Sequence, residues 1–299
     1  IIDLVMLSKL ENSKSEIRRL IKGNGIKINN QSIHEFENWL KEWSSFQKIA
    51  LKIEKENLQF YKKPKQEFTI INTSEINNDQ TFLIQLKPNK NTKFESGDLL
   101  SITPKNGSRS RLYSIAKIDT TILLSIKKHK FGLCSNFLNS LNKGSKIEAN
   151  IQKNEKFRFS KKAKEVILIA NGTGIAPFLG MIHGKKSKTK VHLFWGGRTK
   201  QSLEIYQNYI NTSLKKKHLH SFNAAFSQEQ KEKIYVQDIL LNKRELIANT
   251  LKNGDVIMIC GSISMQKAVI KVLEELSKNH LQTSLKKFEE NNQILTDCY

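Results

Sequence analysis

The chain has 299 residues and a formal charge of +22, from 50 Lys+Arg against 28 Asp+Glu. That length suits two or three domains, and no apolar run approaches the roughly 18–20 residues that span a bilayer. Three scattered cysteines, Cys134, Cys260 and Cys298, argue against a disulfide scaffold or zinc module and for a reducing, cytoplasmic setting.

Most of the positive excess falls after residue 63. A field of that sign attracts nucleic acid, anionic membranes, phosphate-rich ligands or an acidic protein partner, or serves only solubility. The chain opens with Ile rather than Met and without a signal-peptide pattern, so it reads as a fragment or processed product.

Residues 1–63 begin with helical periodicity (IIDLVMLSKL, then SEIRRLIKGNG), followed by a turn-and-strand phrase, IKINNQSI. KKPKQ near residue 64 reads as a linker, because proline disfavours helix before it. From 67 to 158 come short strands: EFTII, TFLIQLKP, LLSITP, RLYSIAKI, TILLSIKKH and KIEANI, with one helix, SNFLNSL, among them. After KKAK the rhythm changes. EVILIA, VHLFWG, HSFNAAF and VIMICG read as fully buried strands, separated by PFLGMI, SLEIYQNYI, VQDILLNKRELIANTLK and MQKAVIKVLEEL as helices. The fold expected is multidomain α+β and α/β. It comprises a small α/β module over 1–63, an antiparallel six-stranded β-barrel over 64–160, and a doubly wound parallel sheet with helices on both faces over 161–299.

Within the barrel segment, RSRLYSIA poses a burial problem. An arginine such as Arg111 inside a strand is costly to bury unless an anion or carboxylate meets it, whereas Tyr113 can be plain core. In the parallel segment, ANGTGIAPF follows a strand and precedes a helix. Gly172 and Gly174 permit a tight turn and close approach of backbone to a diphosphate, although the pattern is neither GxGxxG nor a P-loop. GGR at 196–198, AFSQEQKEKIYVQ at 225–237 and ICGSISM at 259–265 also follow strand ends, where open α/β sheets bind ligands.

RLYS (111–114), GLCS (132–135), GTGIAPF (172–178), ICG (259–261) and the terminal DCY (297–299) resemble, in order and context, the motifs of the ferredoxin–NADP reductase superfamily. The likeness covers about residues 64–299 and is greatest to the FAD/NADPH modules of diflavin reductases such as the sulfite reductase flavoprotein. It implies a flavoprotein oxidoreductase that takes hydride from NADPH and passes electrons to ferredoxin, flavodoxin or a partner FMN domain. Arg111 would pair with the FAD diphosphate, Leu112 and Tyr113 would lie along the flavin, and Ser114 would hydrogen-bond its reactive ring. Gly132, Leu133, Cys134 and Ser135 would open a helix toward the diphosphate, though a turn and cap explain Gly132 and Ser135 equally well. Gly172, Thr173, Gly174, Pro177, Arg198 and Gln237 would hold the dinucleotide. Ser114, Cys260 and Asp297 would surround the nicotinamide, and Tyr299 would cover the flavin face on which it reacts.

In NADPH-selective relatives the segment SQEQKEKIY supplies Ser, Arg, Lys and Tyr to the 2′-phosphate. Ser227, Lys233 and Tyr235 match, but Gln228 replaces the arginine; Lys231 offers partial compensation, and NADH is the weaker alternative. The large helical insertion of diflavin reductases is absent, and no flavodoxin-like domain precedes the barrel segment. What precedes it resembles the RNA-binding domain at the C-terminal end of bacterial tyrosyl-tRNA synthetases. By that likeness Ser13 and Glu16 form a capping box, and Lys14, Arg18, Arg19 and Lys22 face phosphates. RNA binding by residues 1–63 is thus the alternative function.

Overall fold

The computed structural model describes Arg19, residues 27–28 and 31–32, and residues 65–299 except 105–106, 108, 159–161 and 186–187. Two compact units divide the chain, Ile1–Lys63 and Pro64–Tyr299. In the first, IKINNQSI supplies β1 (Lys27–Ile28) and β2 (Gln31–Ser32), which pair antiparallel. Arg19 is helical; Ser13, Lys14, Glu16, Arg18 and Lys22 lie outside the described residues.

The second unit opens with β3 (Gln66–Thr73), β4 (Thr81–Pro88), β5 (Leu99–Ile102), β6 (Arg111–Ser114), β7 (Ala116–Ile118) and β8 (Thr121–Lys127). Helix α1 (Leu133–Asn139) and strand β9 (Lys146–Gln152) complete this lobe. All seven strands pair antiparallel in the order β6-β5-β9-β3-β4-β8-β7. Six were expected, because RLYSIAKI reads as one strand. It divides at Ile115, whose N–H donates to the Asp98 carbonyl and whose carbonyl accepts from Gly97. Consecutive β6 and β7 thereby end up at opposite ends of the strand order, so a single residue joins the two edges and nearly closes the barrel. Gly97 permits the crossing. Its φ is +90°, and a Cβ there would sit 2.6 Å from the Phe157 carbonyl oxygen.

The remaining elements are β10 (Glu165–Asn171), α2 (Ala176–His183), β11 (Lys190–Gly197), α3 (Lys200–Lys215), β12 (Ser221–Phe226), α4 (Val236–Leu241), α5 (Arg244–Lys252), β13 (Val256–Gly261), α6 (Ile263–Leu281), α7 (Leu285–Glu290) and β14 (Ile294–Cys298). The strands form a five-stranded sheet, β12-β11-β10-β13-β14, with every pair parallel. Alternation assigns the faces: Val166, Leu168 and Ala170 of β10 enter one core, Ile167 and Ile169 the other.

Three readings change here. β12 is an edge strand with only Ala225 buried, not a fully buried one. The helical phrase 236–252 breaks after Leu241, where Lys243 leaves the helical region at φ −123°, ψ 30°. The tail ILTDC adds a fifth strand, its backbone partners supplied by β13.

The barrel and the parallel sheet share a core. Leu83, Ala116 and Leu123 pack in one cluster with Phe178, Leu179 and Ile182. Gly180 allows α2 to lie on β7, since a Cβ there would meet the Lys117 nitrogen at 2.5 Å. Burying Phe178 completely contributes about 1.5–3 kcal/mol to this contact.

At the sheet's far edge, away from the strand C-termini, His192 is buried between Glu165 and Ser221. Because a carboxylate only accepts, Nε2 carries the proton toward Glu165 (3.1 Å) and Nδ1 accepts from the Ser221 hydroxyl (2.7 Å). Burial holds the His192 pKa below its usual range. Glu165 opposes that shift in part, while His220 and Lys190 reinforce it. With a depressed folded pKa, the contribution is complete above the unfolded value of ~6.5 and is lost as pH falls below it. His192→Gln should therefore flatten the decline in melting temperature from pH 6.5 to 5; an unaltered slope would exclude His192 as its source.

Candidate active site

The glycine turn lies at the C-terminal end of β10 and leads directly into α2. Gly172 takes φ +50° and has open space where a Cβ would be, whereas a Cβ on Gly174 would collide with the carbonyl oxygen of Cys260. Gly172 thus supplies conformation beside free space, and Gly174 close packing against β13. Asn171 fixes the junction: its Oδ1 accepts from Ser262 N–H (2.9 Å) and its Nδ2 donates to Ser262 Oγ (3.0 Å). Trp195 Nε1 donates to the Gly172 carbonyl at 3.0 Å.

Beside this turn is a cavity of about 460 Å³. Of the residues singled out from sequence, Gly172, Thr173, Arg198, Ser227, Tyr235 and Gln237 line it. Gly174 and Pro177 are buried, with the proline in the first turn of α2. Gln228 and Lys233 are exposed and are not among the lining residues, nor is the exposed Lys231.

Next to the cavity the two lobes exchange hydrogen bonds. Ser114, ending β6 of the barrel, donates to Asp297 Oδ2 in β14 at 2.9 Å. Cys260, ending β13, is wholly buried; burial pushes its thiol pKa well up, the Asp297 charge adds to this, and contact with Ser114 opposes it. It therefore stays a neutral thiol. Tyr299 is anchored on both sides, its N–H donating to Gly261 and its carbonyl accepting from Ile263. Its hydroxyl meets Thr173 Oγ1 at 2.9 Å. The residue is 63% exposed, yet burial is the first cause raising its phenol pKa, and the hydroxyl bond to Thr173 opposes that in part.

Along the barrel rim, Arg111 and Tyr113 share one face of β6 by alternation, with Leu112 on the other. Arg111 is exposed, so the burial problem posed by the sequence does not arise: β6 is an edge strand and its guanidinium reaches water. It remains close enough to act electrostatically on Tyr113 and Cys134. Burial chiefly raises the pKa of both, and the Arg111 charge lowers each in part. Gly132 caps α1, and Leu133 is 68% exposed at its start. Ser135 does not reach outward. Its buried hydroxyl donates to the Gly132 carbonyl (3.1 Å) and accepts from His129 N–H (3.2 Å), shaping the turn.

Asp79, Thr81 and Lys127 of the barrel also line the cavity. Nothing local in the sequence marks them, because only the packing of β4 and β8 against α3 brings them to the sheet's edge.

A barrel and a parallel sheet joined beside one cavity, with the glycine turn at the strand C-terminal ends, define a two-lobed class whose α/β lobe has the ligand-site geometry of open α/β sheets. Residues 168–271 match the oxidoreductase NAD-binding domain. The sulfite reductase [NADPH] flavoprotein alpha-component of Buchnera aphidicola (subsp. Acyrthosiphon pisum) is 32% identical over 209 residues, covering 63% of this chain and 35% of that protein. Its counterpart in Shewanella oneidensis is 31% identical over 167 residues, covering 50% and 28%. The chain spans about a third of the length of these relatives. Ferredoxin-NADP+ reductase from Plasmodium falciparum superposes with TM-score 0.65 at 22% identity, covering 79% of this chain and 96% of that one. In fold the chain is similar to ferredoxin-NADP+ reductase, and in sequence to the sulfite reductase flavoprotein alpha-component. Among the described residues no helix is long and apolar enough to cross a membrane.

Proposed function

We propose that residues 64–299 form an FAD-dependent reductase that draws electrons from NADPH and delivers them to a one-electron carrier. In this reading residues 64–160 hold FAD and 161–299 hold NADPH. The observation that carries it is the Ser114–Asp297 hydrogen bond, which brings a barrel strand and a sheet strand together beside the Tyr299 ring. The residues present suit both cofactors. Arg111 offers an exposed cation and Leu133 an exposed apolar surface on the barrel rim. The open space at Gly172 and the cations Arg198 and Lys127 suit a phosphate-bearing ligand in the cavity.

When bound, FAD supplies the conversion between two-electron and one-electron transfer. The chain's residues orient and screen. Ser114 and the neutral thiol of Cys260 present uncharged polar groups to the reacting rings. Asp297 supplies a fixed negative charge that favours positive charge developing on nicotinamide. Tyr299 shields that face from water until nicotinamide displaces it. The basic surface suits an acidic electron carrier such as ferredoxin, flavodoxin or an FMN domain.

Purified chain incubated with FAD should turn yellow and bleach on anaerobic addition of NADPH. Colourless protein that retains no FAD would defeat the proposal. Within it, Gln228→Arg should widen the preference for NADPH over NADH by about tenfold, the worth of one charge-assisted phosphate contact. An unchanged ratio of kcat/KM values would remove the 227–235 segment from 2′-phosphate recognition.

A further inference from the structure

Asp79 stands on the barrel loop between β3 and β4, yet it lines the cavity opposite Arg198. The loop is shaped to deliver it there. Asn77 Oδ1 accepts the N–H groups of Asp79 (3.0 Å) and Thr81 (2.9 Å), and Gln80 takes the left-handed conformation at φ 58°. Asn78 Nδ2 donates to the Gln201 side-chain oxygen at 2.5 Å, docking the loop on the first turn of α3. Asp79 Oδ2 accepts from the Ser202 hydroxyl, and Oδ1 lies 3.8 Å from Arg198 Nη1. The carboxylate is 18% exposed and the guanidinium 52%. Asp79 also adds, after burial, to the raised pKa of the Tyr206 phenol, which the Ser125 bond lowers in part; both residues line the cavity.

A carboxylate is the wrong sign for a cavity that takes phosphates. An anion placed against the cavity's arginine competes with any anionic ligand for the same guanidinium. The Arg198 contact is loose and singly engaged, whereas the Ser202 bond fixes the carboxylate independently. A ligand phosphate can thus take Arg198 while the loop stays docked.

We propose that Asp79 is a specificity-determining residue: an internal anion that occupies Arg198 and must yield it to a phosphate of the dinucleotide. This rests on the reading of the cavity as the dinucleotide site. Asp79 weakens binding of every phosphate ligand. It disfavours most those that cannot engage the guanidinium well enough to displace it.

The test is calorimetric binding of NADP+ to the FAD-loaded full chain and to three variants: Asp79→Asn, Arg198→Ala and the double variant. Asparagine keeps an acceptor for Ser202 and removes only the charge. Asp79→Asn should tighten NADP+ about three- to fivefold, the range of one partly exposed ion pair. In the Arg198→Ala background the same change should give no gain. Unchanged or weaker binding by Asp79→Asn overturns the proposal, and so does an equal gain without Arg198. Asp79→Ser supplies the same charge removal should the asparagine variant fail to fold. If the parent binds no NADP+ at millimolar concentration, the dinucleotide reading of the cavity itself is wrong.

Discussion

Tyr299→Ser should raise kcat/KM for NADH relative to NADPH by about 30- to 100-fold. Tyr299 is exposed as a residue, but its hydroxyl is tethered to Thr173 and its backbone to Gly261 and Ile263, so the ring is held in one place within reach of the Asp297 charge. In the proposed reading nicotinamide reaches the flavin by displacing this ring, at a cost of about 2–3 kcal/mol. On the same reading NADPH meets that cost in the parent through its 2′-phosphate, which NADH lacks. Serine abolishes the cost; NADPH, whose kcat/KM is then limited by association in parent and variant alike, gains little, whereas NADH gains nearly the full amount, each 1.4 kcal/mol being tenfold. Steady-state kinetics with both nucleotides decide the matter, and an unchanged ratio would remove Tyr299 from the nicotinamide face.

Asp98→Ala should cost about 3–4 kcal/mol of stability and lower the melting temperature by about 10 °C. Asp98 is fully buried. It accepts from Lys153 Nζ at 3.0 Å, from the Arg158 guanidinium, and from the backbone N–H groups of Glu95 (2.9 Å) and Asn154 (3.0 Å). Burial works to raise its pKa, but the bonds led by Arg158 outweigh burial and hold it below the usual carboxylate range. With the folded value depressed, its contribution is present above the unfolded pKa of ~3.9 and is lost as pH falls through the lower folded value. Its backbone carbonyl accepts from Ile115, so the side-chain network also steadies the residue that anchors the crossing closing the barrel. A thermal scan showing a drop under 2 °C would mean the two cations rehydrate and the amides find water.

The candidate site was legible where it depends on residue type at short spacing. GTGIAPF names its own turn, since only glycine adopts φ +50° freely at Gly172, and the approach of Gly174 to Cys260 leaves no room for a side chain. Alternating apolar runs announced the sheet because each buried face needs every second residue. Other features were invisible for equally physical reasons. RLYSIAKI carries no breaker at Ile115; only closure of the barrel divides it. Arg111 looked buried because its strand is apolar, and whether a strand lies at an edge depends on pairing partners distant in sequence.

By itself, the sequence determined two architectures in succession, the glycine turn, and the residue types available for phosphate and ring recognition. All of these follow from backbone conformation and period. Only the tertiary structure decided that Ser114 meets Asp297, that Tyr299 bonds to Thr173, and that Asp79 faces Arg198. Those pairs lie far apart along the chain; packing of the barrel against the parallel sheet brings the first and third within reach, and pairing within that sheet the second.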